Sequence, residues 1–257
     1  MALSHSLEKL MLSVVIITKN EAENIGRCLD SVSWVDEIIV LDSGSEDDTV
    51  SICRQYTDKV YETDWPGFGI QKQRALNKAT GDWILSIDAD EVVTTELRAE
   101  IEQALQQNKF QAFEIPRLSR YCGREMRHGG WWPDYVLRLF VRHVARFSVD
   151  IVHERVIVDA PVGRLVSPFL HDTAVDLEEI LVKVNSYSTL GSKMLYDQGA
   201  RSSIIKALLK GVWTFNRTYW LKVGFLDGAQ GLMLAVSNAE STYYKYLKLY
   251  CLQKHKE

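Results

Sequence analysis

Residues 12–21 read LSVVIITKNE, and this stretch decides the fold. Its first six residues form a nearly continuous apolar run, as in a strand that is buried on both faces. Polar residues follow at once, and among them Asn20 is expected to cap the next helix. The apolar positions of that helix, at helical spacing, are Ile25, Cys28, Leu29 and Val32. The pattern predicts a buried strand that leads through a short polar loop into a helix.

The same alternation of strand and helix continues to about residue 105. Further strands are predicted at 37–41 (EIIVL), 59–61 and 83–87 (WILSI), and a helix at 69–79. Ser45 and Asp48 resemble a capping box for one more helix, and Thr95 is expected to cap another. Strands that alternate with helices predict an α/β fold with a mainly parallel sheet. Ligands of such sheets bind beyond the carboxyl ends of the strands.

The second half of the chain has a different pattern. Asp176 and Glu179 are expected to cap a long helix that opens a helical C-terminal segment. Before it, short strands are predicted at 112–117, 135–141, 146–149, 152–158 and 164–170. We therefore divide the sequence into residues 1–115, a β-rich part at 116–175 and a helical part at 176–257.

Composition and charge narrow the class of protein. The 257 residues are 46% hydrophobic and 25% charged, which is typical of a globular protein. The net charge of −4 argues against a nucleic-acid partner, because such proteins usually carry a positive excess. Residues 176–257 carry +4 and the preceding residues −8. The basic and aromatic C-terminal part indicates an anionic surface as its partner.

Location is suggested by three sequence features. The apolar run at residues 11–17 is too short for a signal peptide, and Lys19 follows it. No apolar run approaches the ~20 residues that a membrane-spanning helix needs. The four cysteines form no CxxC pair, as expected of reduced thiols. We expect a cytoplasmic protein.

Three of the predicted strands end in carboxylates or amides. They are followed by Asn20-Glu21, by Asp42-Ser43-Gly44 and by Asp88-Ala89-Asp90-Glu91. Like charges this close repel unless a cation or a hydrogen-bond donor lies between them. Mg²⁺ typically takes one or two carboxylates together with substrate phosphates. Each strand end alone could be a helix cap or a surface turn, but three at one sheet edge favour a ligand site.

The segments SVVIITKNEAENIGRCLDSV, EIIVLDSGSEDDT and QKQRALNKATGDWILSIDADE together resemble the family 2 glycosyltransferases, which have the GT-A fold. GGWWPDYVLRLF, VHERVIV and GFLDGAQGLMLAV resemble the bacterial lipopolysaccharide core branch that adds β-1,4-glucose to heptose. The resemblance implies a Rossmann-like, mainly parallel sheet flanked by helices. It also implies a nucleotide-sugar half at 1–115, a β-rich acceptor half at 116–175 and a helical C-terminal appendage.

The implied activity is the inverting transfer of a hexose, glucose, from a UDP-sugar to a heptose of the lipopolysaccharide inner core. In this interpretation Asp42 holds the uracil or ribose, Asp88 contacts the ribose, and Asp90 binds the Mg²⁺ or Mn²⁺ that bridges the diphosphate. Such a metal neutralises charge on the leaving group. The residues implied to bind the nucleotide sugar are Thr18, Asn20, Glu21, Asp42, Ser43, Gly44, Lys72, Arg74, Asp88, Ala89 and Asp90.

An inverting enzyme needs one base that deprotonates the acceptor hydroxyl. Glu154, in the Val-His-Glu run, is the preferred candidate, ahead of Asp134 and then Asp172. The alternative for Glu154 is an ion pair at a strand edge, with Arg155 or Arg138. His153 and His171 are candidates for a further metal ligand, although a lone histidine is more often a hydrogen-bonded structural residue.

Acceptor binding is assigned to Trp131, Trp132 and Arg138. If the two tryptophans lie in a strand they face opposite ways, so at most one stacks on a sugar. The aromatic and basic residues between 206 and 225 predict helices that lie in the interface of the inner membrane, on its cytoplasmic face. The alternative for these helices is a cap that packs on the sheet.

Two other functions fit the same sequence. One is a GT-A glycosyltransferase with a polyprenyl-phosphate or protein acceptor. The other is a non-catalytic nucleotide-sugar-binding scaffold at the membrane. The Asp88 and Asp90 pair and the acid-bearing second half favour an enzyme over the scaffold.

Overall fold

A computed structural model describes residues 10–107, 109–148, 154–174 and 176–254. The chain forms two units, and each is described by itself. Unit 1 comprises Met1–Arg117 and Tyr135–His171, and unit 2 comprises Leu118–Asp134 and Asp172–Glu257. The polypeptide therefore leaves unit 1, returns to it, and leaves it a second time.

Unit 1 is built around parallel strands with helices between them. Its helices are α1 (Ile25–Ser31), α2 (Thr49–Cys53), α3 (Phe68–Lys78) and α4 (Thr95–Leu105). The strands of the chain are β1 (Leu12–Thr18), β2 (Glu37–Asp42), β3 (Val60–Glu62), β4 (Trp83–Asp88), β5 (Glu91–Val93), β6 (Ala112–Tyr121), β7 (Arg124–Glu125), β8 (Asp134–Val141), β9 (Ala145–Phe147), β10 (Val156–Val158), β11 (Val162–Arg164) and β12 (Phe169–Ala174).

The strand order defines which strand ends lie together. The main path of the sheet is β3-β2-β1-β4-β8-β6-β12-β5, and β9 and β10 form a separate antiparallel pair. β1, β2, β3 and β4 are parallel neighbours, and β8 runs antiparallel to β4. The last residues of β1, β2 and β4 are therefore at the same edge of the sheet. The predicted mainly parallel α/β fold is confirmed.

β1 is buried along its whole length because both faces of the sheet are covered. Val14 and Ile16 pack in the cluster that includes the α1 residues Ile25 and Leu29. Val15, one residue along, packs in the other cluster, which includes Ala75 and Leu76 of α3. The alternation of side chains places one apolar cluster on each face. The predicted helical stripe at Ile25, Cys28, Leu29 and Val32 is fully buried.

Three predicted helix caps were wrong. The residue that precedes α1 is Asn24, not Asn20, and the residue that precedes α2 is Asp48 without a side-chain hydrogen bond. Ser45 forms no capping box, because its hydroxyl donates to Asp42. α4 is capped one residue earlier than predicted, by Thr94, whose hydroxyl accepts from Leu97 N at 3.1 Å. Polar side chains that follow these strands bind the neighbouring loop instead of their own helix.

The β-rich part contains more breaks than predicted. The strand expected at 164–170 was wrong: two strands, β11 and β12, flank a bend around Ser167. The strand expected at 152–158 is seen as β10, and residues 149–153 lie outside the described residues. The strands expected at 112–117 and 135–141 are confirmed as β6 and β8.

Unit 2 is mainly helical. Its helices are α5 (Leu177–Asp197), α6 (Ile204–Asn216) and α7 (Gly228–Lys254). As predicted, Asp176 caps α5 by accepting from Glu179 N at 2.8 Å. A π-helical turn (Arg217–Leu221) and a 3₁₀ turn (Gly224–Asp227) join α6 to α7. Among the described residues, no helix combines the length and the apolarity that crossing a bilayer requires.

Candidate functional site

Asp42, the last residue of β2, shapes the loop that follows it. Its carboxylate accepts from the backbone N of Gly44 at 2.9 Å and of Ser45 at 2.8 Å, and from the Ser45 hydroxyl. Gly44 has φ 83°, a left-handed conformation that glycine adopts without strain. Ser43 N donates to Thr18 O at 2.9 Å. The carboxylate thus fixes the backbone of Gly44 and Ser45 at the sheet edge.

The loop after β1 is tied to the loop after β2. Asn20 has φ 55°, and its backbone N donates to Ser45 Oγ at 2.8 Å while its side-chain oxygen accepts from Glu46 N at 2.8 Å. Glu21 N donates to Thr49 Oγ1 at 2.8 Å. The structure therefore brings together the predicted site residues Asn20, Glu21 and Asp42. Asparagine is one of the few residues that tolerate this backbone conformation, which explains its presence here.

The strongest electrostatic feature of unit 1 surrounds Asp88, the last residue of β4. Lys72 of α3 lies 2.9 Å from Asp88 and 2.8 Å from Glu154, and Arg138 of β8 forms a second ion pair with Asp88. Burial alone would raise the pKa of Asp88, but Arg138 and then Lys72 lower it well below its ordinary value. Asp88 is therefore ionised and held between two cations.

Glu91 is fully buried beside the same arginine. Its carboxylate lies 3.1 Å from Arg138 and accepts from Asp88 N at 3.0 Å. Burial raises the pKa of Glu91, and the nearby negative charge of Asp88 raises it further. The positive charge of Arg138 lowers this pKa, but the net result is a raised value. The pKa of Arg138 is raised by the two acids despite its burial. Glu91 was noted in the sequence only as part of an acidic run, and no role was assigned to it.

Asp90 and His171 face each other on the other side of this turn. His171 Nε2 lies 3.2 Å from Asp90 Oδ2, because β12 pairs with β5 and places His171 opposite Glu91. Burial lowers the pKa of His171, but the hydrogen bond and charge of Asp90 override this, and the pKa is raised. Ala89, between the two aspartates, is buried in the core.

We tested whether these residues fit a divalent metal. Within the described ranges, no group of three or more His, Cys, Asp or Glu side chains has a metal-binding arrangement. Asp90 and His171 form a pair of one carboxylate and one imidazole, and both are ligand types that divalent metals accept. Two protein ligands suffice where substrate phosphates supply the others. The pair fits such a metal, and the predicted ligand His153 lies outside the described residues.

Two buried polar atoms at this sheet edge have no hydrogen-bond partner among the described residues. They are Thr18 Oγ1, at the end of β1, and Arg138 Nε. A buried polar atom without a partner costs about 1–3 kcal/mol. Most buried polar atoms in native proteins have a partner, so each exception calls for an explanation, such as a bound water, an ion or a ligand.

Sequence reasoning missed Gln71, which precedes Lys72 on α3. Gln71 is completely buried, and its amide donates to Ser43 Oγ at 3.0 Å and to Thr63 Oγ1 at 2.6 Å. A polar residue on the sheet-facing side of a predicted helix was the available signal. Arg74, one of the residues implied to bind the nucleotide sugar, pairs with the exposed Asp64 at 2.7 Å.

The predicted acceptor tryptophans belong to unit 2 and lie in a loop, so the argument for two tryptophans in a strand does not apply to them. Trp131 packs edge-on against Tyr121 with ring centroids 5.6 Å apart, and it contacts the core of unit 2. Trp132 lies beside Arg127, whose guanidinium carbon is 5.7 Å from the ring centroid. Asp134, the alternative base, is the first residue of β8 and is assigned to unit 2.

A histidine and aspartate pair fixes the start of this loop. Asp227, which is buried, accepts from His128 N at 2.7 Å and lies 2.9 Å from His128 Nδ1. Gly129 N donates to Lys222 O at 2.9 Å. The pair was not predicted, although His128 directly precedes GGWWPD and Asp227 lies within GFLDGAQG, two segments that carried the family resemblance.

The model of the family described as "Glycosyl transferase family 2" matches residues 13–147. The chain belongs to this family, and its mostly parallel sheet flanked by helices is GT-A-like, with a helical stretch at the C-terminal end.

Relatives of the chain extend over almost all of its length. An uncharacterized glycosyltransferase of Rickettsia typhi, RT0209, is 30% identical over 251 residues, which cover 93% of this chain and 86% of that protein. The lipopolysaccharide core biosynthesis glycosyltransferase LpsC of Rhizobium meliloti is 29% identical over 263 residues, covering 97% and 94%. Among solved structures, residues 1–349 of S. aureus TarS match with 14% identity and a TM-score of 0.49, covering 96% of this chain and 92% of that one.

Proposed function

We propose that this glycosyltransferase moves a hexose, glucose, from a UDP-sugar to a heptose of the lipopolysaccharide inner core, with inversion at the sugar carbon. The observation that carries the proposal is the set of acidic loops that end β1, β2 and β4 at one sheet edge, with Asp42, Asp88 and Asp90 among them. The similarity to LpsC over nearly the full length of both chains supports the acceptor class.

The donor is proposed to bind along this edge. Asp42 with its ordered loop holds the nucleoside, Thr18 Oγ1 supplies an unused hydroxyl, and Asp88 contacts the ribose. Lys72, held by Asp88 and Glu154, supplies a buried positive charge for the diphosphate. A fixed cation in a buried site attracts phosphate more strongly than one in water does.

Asp90 and His171 are proposed to hold Mg²⁺ or Mn²⁺. When bound, such an ion neutralises the charge that develops on the diphosphate leaving group. Asp88 is already neutralised by Arg138 and Lys72, so among these acids Asp90 is the one left for a metal. These are the roles that the family resemblance implies for the two residues, Asp88 at the ribose and Asp90 at the metal.

Glu154 is proposed as the base. The acceptor oxygen attacks the anomeric carbon, its proton passes to Glu154, and the electron pair of the broken bond leaves with UDP. One displacement of this kind inverts the anomeric centre. The contact with Lys72 at 2.8 Å orients the Glu154 carboxylate next to the proposed donor site. Asp134 is the second candidate and is included in the test.

The acceptor of this reaction carries lipid, so we propose that the enzyme works at the cytoplasmic face of the inner membrane as a peripheral protein. The helices of unit 2 are the proposed contact. The absence of acidic residues from Gln198 to Leu226, against five basic residues there, supports this location.

The test is transfer of radiolabelled glucose from UDP-glucose to lipopolysaccharide that ends at the inner-core heptose. Full activity is expected with Mn²⁺ or Mg²⁺, loss with a chelator, and no product with polyprenyl phosphate. Asp90→Asn should reduce transfer at least about 1,000-fold, whereas the matched exposed variant Asp58→Asn should not change it. Equal activity in chelator would remove the metal from the mechanism, and transfer only to polyprenyl phosphate would exclude the heptose acceptor.

A further inference from the structure

Helix α6 of unit 2 leaves most of its large apolar side chains uncovered. Its buried residues are Ala207 and Gly211, and a Cβ at Gly211 would lie 3.2 Å from Tyr243 Cβ and 3.3 Å from Ala239 O of α7. The exposed apolar residues of α6 are Ile204, Ile205, Leu208, Leu209, Val212 and Trp213. The helix therefore packs on α7 through its smallest residues and exposes its largest ones.

The exposed apolar surface continues into the two turns that follow α6. Trp220, Leu221, Phe225 and Leu226 are all exposed, Leu221 to 67%. The Trp220 and Phe225 rings lie 5.9 Å apart. We call the exposed apolar residues between Ile204 and Leu226 the apolar patch. Large exposed apolar surfaces of this kind usually mark an interaction site.

The charged residues of the segment that carries the apolar patch all have one sign. From Gln198 to Leu226 the sequence has no Asp or Glu, and its basic residues are Arg201, Lys206, Lys210, Arg217 and Lys222. Lys206 and Lys210 lie one helical turn apart, at the edge of the exposed apolar face of α6. A shallow groove on this part of unit 2 contains both apolar and basic residues. It is lined by Ser203, Ile205, Lys206, Leu209, Lys210 and Trp213.

We propose that residues 201–226 form the surface by which unit 2 binds an anionic phospholipid bilayer. The apolar face of α6 would lie at the boundary of headgroups and acyl chains, where amphipathic helices with lysine and tryptophan bind. Lysine stems lie along apolar surface while their ammonium groups reach lipid phosphates. Trp213, beside the lysines in the groove, belongs to a residue type enriched at this interface.

The positive charge of this segment favours an anionic bilayer over a second copy of this chain as the partner of the apolar patch. A symmetric dimer through the patch would place the same surface against itself, and thus five cations against five cations. An anionic bilayer supplies the opposite charge over the same area. The inference deepens the proposed membrane location, and it depends only on unit 2.

The test is flotation of the purified full chain with vesicles of phosphatidylcholine alone or with about one third phosphatidylglycerol, without donor or acceptor. Binding is expected on the anionic vesicles and should weaken as salt is added. Lys206→Gln with Lys210→Gln should weaken that binding about 30-fold, since each lysine near an anionic surface contributes about 1 kcal/mol. The matched control, Arg54→Gln with Lys109→Gln, removes two charges elsewhere and should not weaken it.

A second variant separates apolar contact from charge. Leu209→Ala with Trp213→Ala should weaken binding at least about tenfold, because each buried methylene contributes about 0.8 kcal/mol. Circular dichroism checks that each variant is folded. Equal binding of the wild type to neutral and anionic vesicles would overturn the proposal. So would a dimer that Leu209→Ala with Trp213→Ala dissociates while no vesicles bind. Neither result would bear on glycosyl transfer, because the assay contains no sugar donor.

Discussion

The strands β1, β2 and β4 carry polar side chains at both ends, and the two ends are built differently. Where the strands begin, Glu37 accepts from Thr80 N at 2.8 Å, from Thr80 Oγ1 at 2.9 Å, and from Ser13 and Lys59. Ser13 Oγ in turn accepts from Gly81 N at 2.9 Å. Each of these polar groups has a partner inside the cluster.

Where the same strands end, the polar groups are not all paired. Arg138 and Lys72 neutralise Asp88, yet Arg138 Nε and Thr18 Oγ1 are buried without a hydrogen-bond partner among the described residues. A polar cluster that is fully paired stabilises a fold, and one with unpaired atoms has a cost. We propose that the first end serves stability and the second serves a ligand.

The largest effect is expected for Glu154→Gln, which should reduce transfer about 100- to 10,000-fold, the usual contribution of a general base. Stability should change little, because Lys72 keeps its contact with Asp88 at 2.9 Å. The measurements are initial rates and the thermal midpoint. Glu102→Gln, which is exposed on α4, is the matched control. If Glu154→Gln stays within tenfold of the wild type while Asp134→Asn does not, the base is Asp134.

For Glu37→Gln we expect a loss of stability without a loss of UDP affinity, which is the opposite of the outcome for Glu154→Gln. The amide cannot accept all the hydrogen bonds that the carboxylate accepts, so we expect a loss of about 3 kcal/mol of unfolding free energy at neutral pH. The affinity for UDP, measured by calorimetry, should not change. Glu62→Gln, at an exposed ion pair with Arg54, is the control and should cost less than about 1 kcal/mol. A loss of UDP binding with unchanged stability would reverse the roles of the two ends.

The pH dependence of stability gives a further test of the stabilising role of Glu37. Burial opposes the charge of Glu37, but Lys59, Ser13 and Thr80 together lower its pKa from 4.5 to about 2. Between these values the unfolded chain binds a proton that the folded chain does not, so stability rises with pH. The unfolding free energy of the wild type should therefore exceed that of Glu37→Gln by the full amount above about pH 5. This difference should shrink as the pH falls towards about 2. Urea unfolding of both proteins at several pH values measures it, and a constant difference would contradict the assignment.

The fold could be predicted where local pattern and packing agree. The unbroken apolar run of β1 and the spacing of Ile25, Cys28, Leu29 and Val32 identify a strand and a helix without further information, and all are buried. The caps of α1 and α2 could not be predicted, because an Asn or Ser after a strand can bind its own helix or a neighbouring loop. Asn20 and Ser45 bind across loops that are 25 residues apart in sequence.

The position of the acids at the sheet edge could be predicted from the sequence, whereas the ion pairs of Asp88 with Lys72 and Arg138 could not. Asp42, Asp88 and Asp90 follow strands whose ends parallel pairing brings together, so their position follows from local pattern. The pairing of Asp88 with Arg138, 50 residues away, depends on β8 lying antiparallel to β4. His128 and Asp227 are 99 residues apart and meet only through the packing of unit 2. Contacts of this kind follow from tertiary structure and have no sequence signal of their own.

The smallest effects come from two hydroxyls at opposite ends of β1, and they test the comparison most directly. Ser13→Ala removes the acceptor of Gly81 N and a donor to Glu37, so it should destabilise the fold by about 1–3 kcal/mol without changing UDP affinity. Thr18→Val keeps the shape and removes an unpaired buried hydroxyl, so stability should stay equal or rise by about 1 kcal/mol. UDP affinity should then fall about fivefold, the value of one hydrogen bond. If Thr18→Val destabilises the fold as much as Ser13→Ala does, the hydroxyl serves the fold, and the two ends of the sheet do not differ in the way proposed.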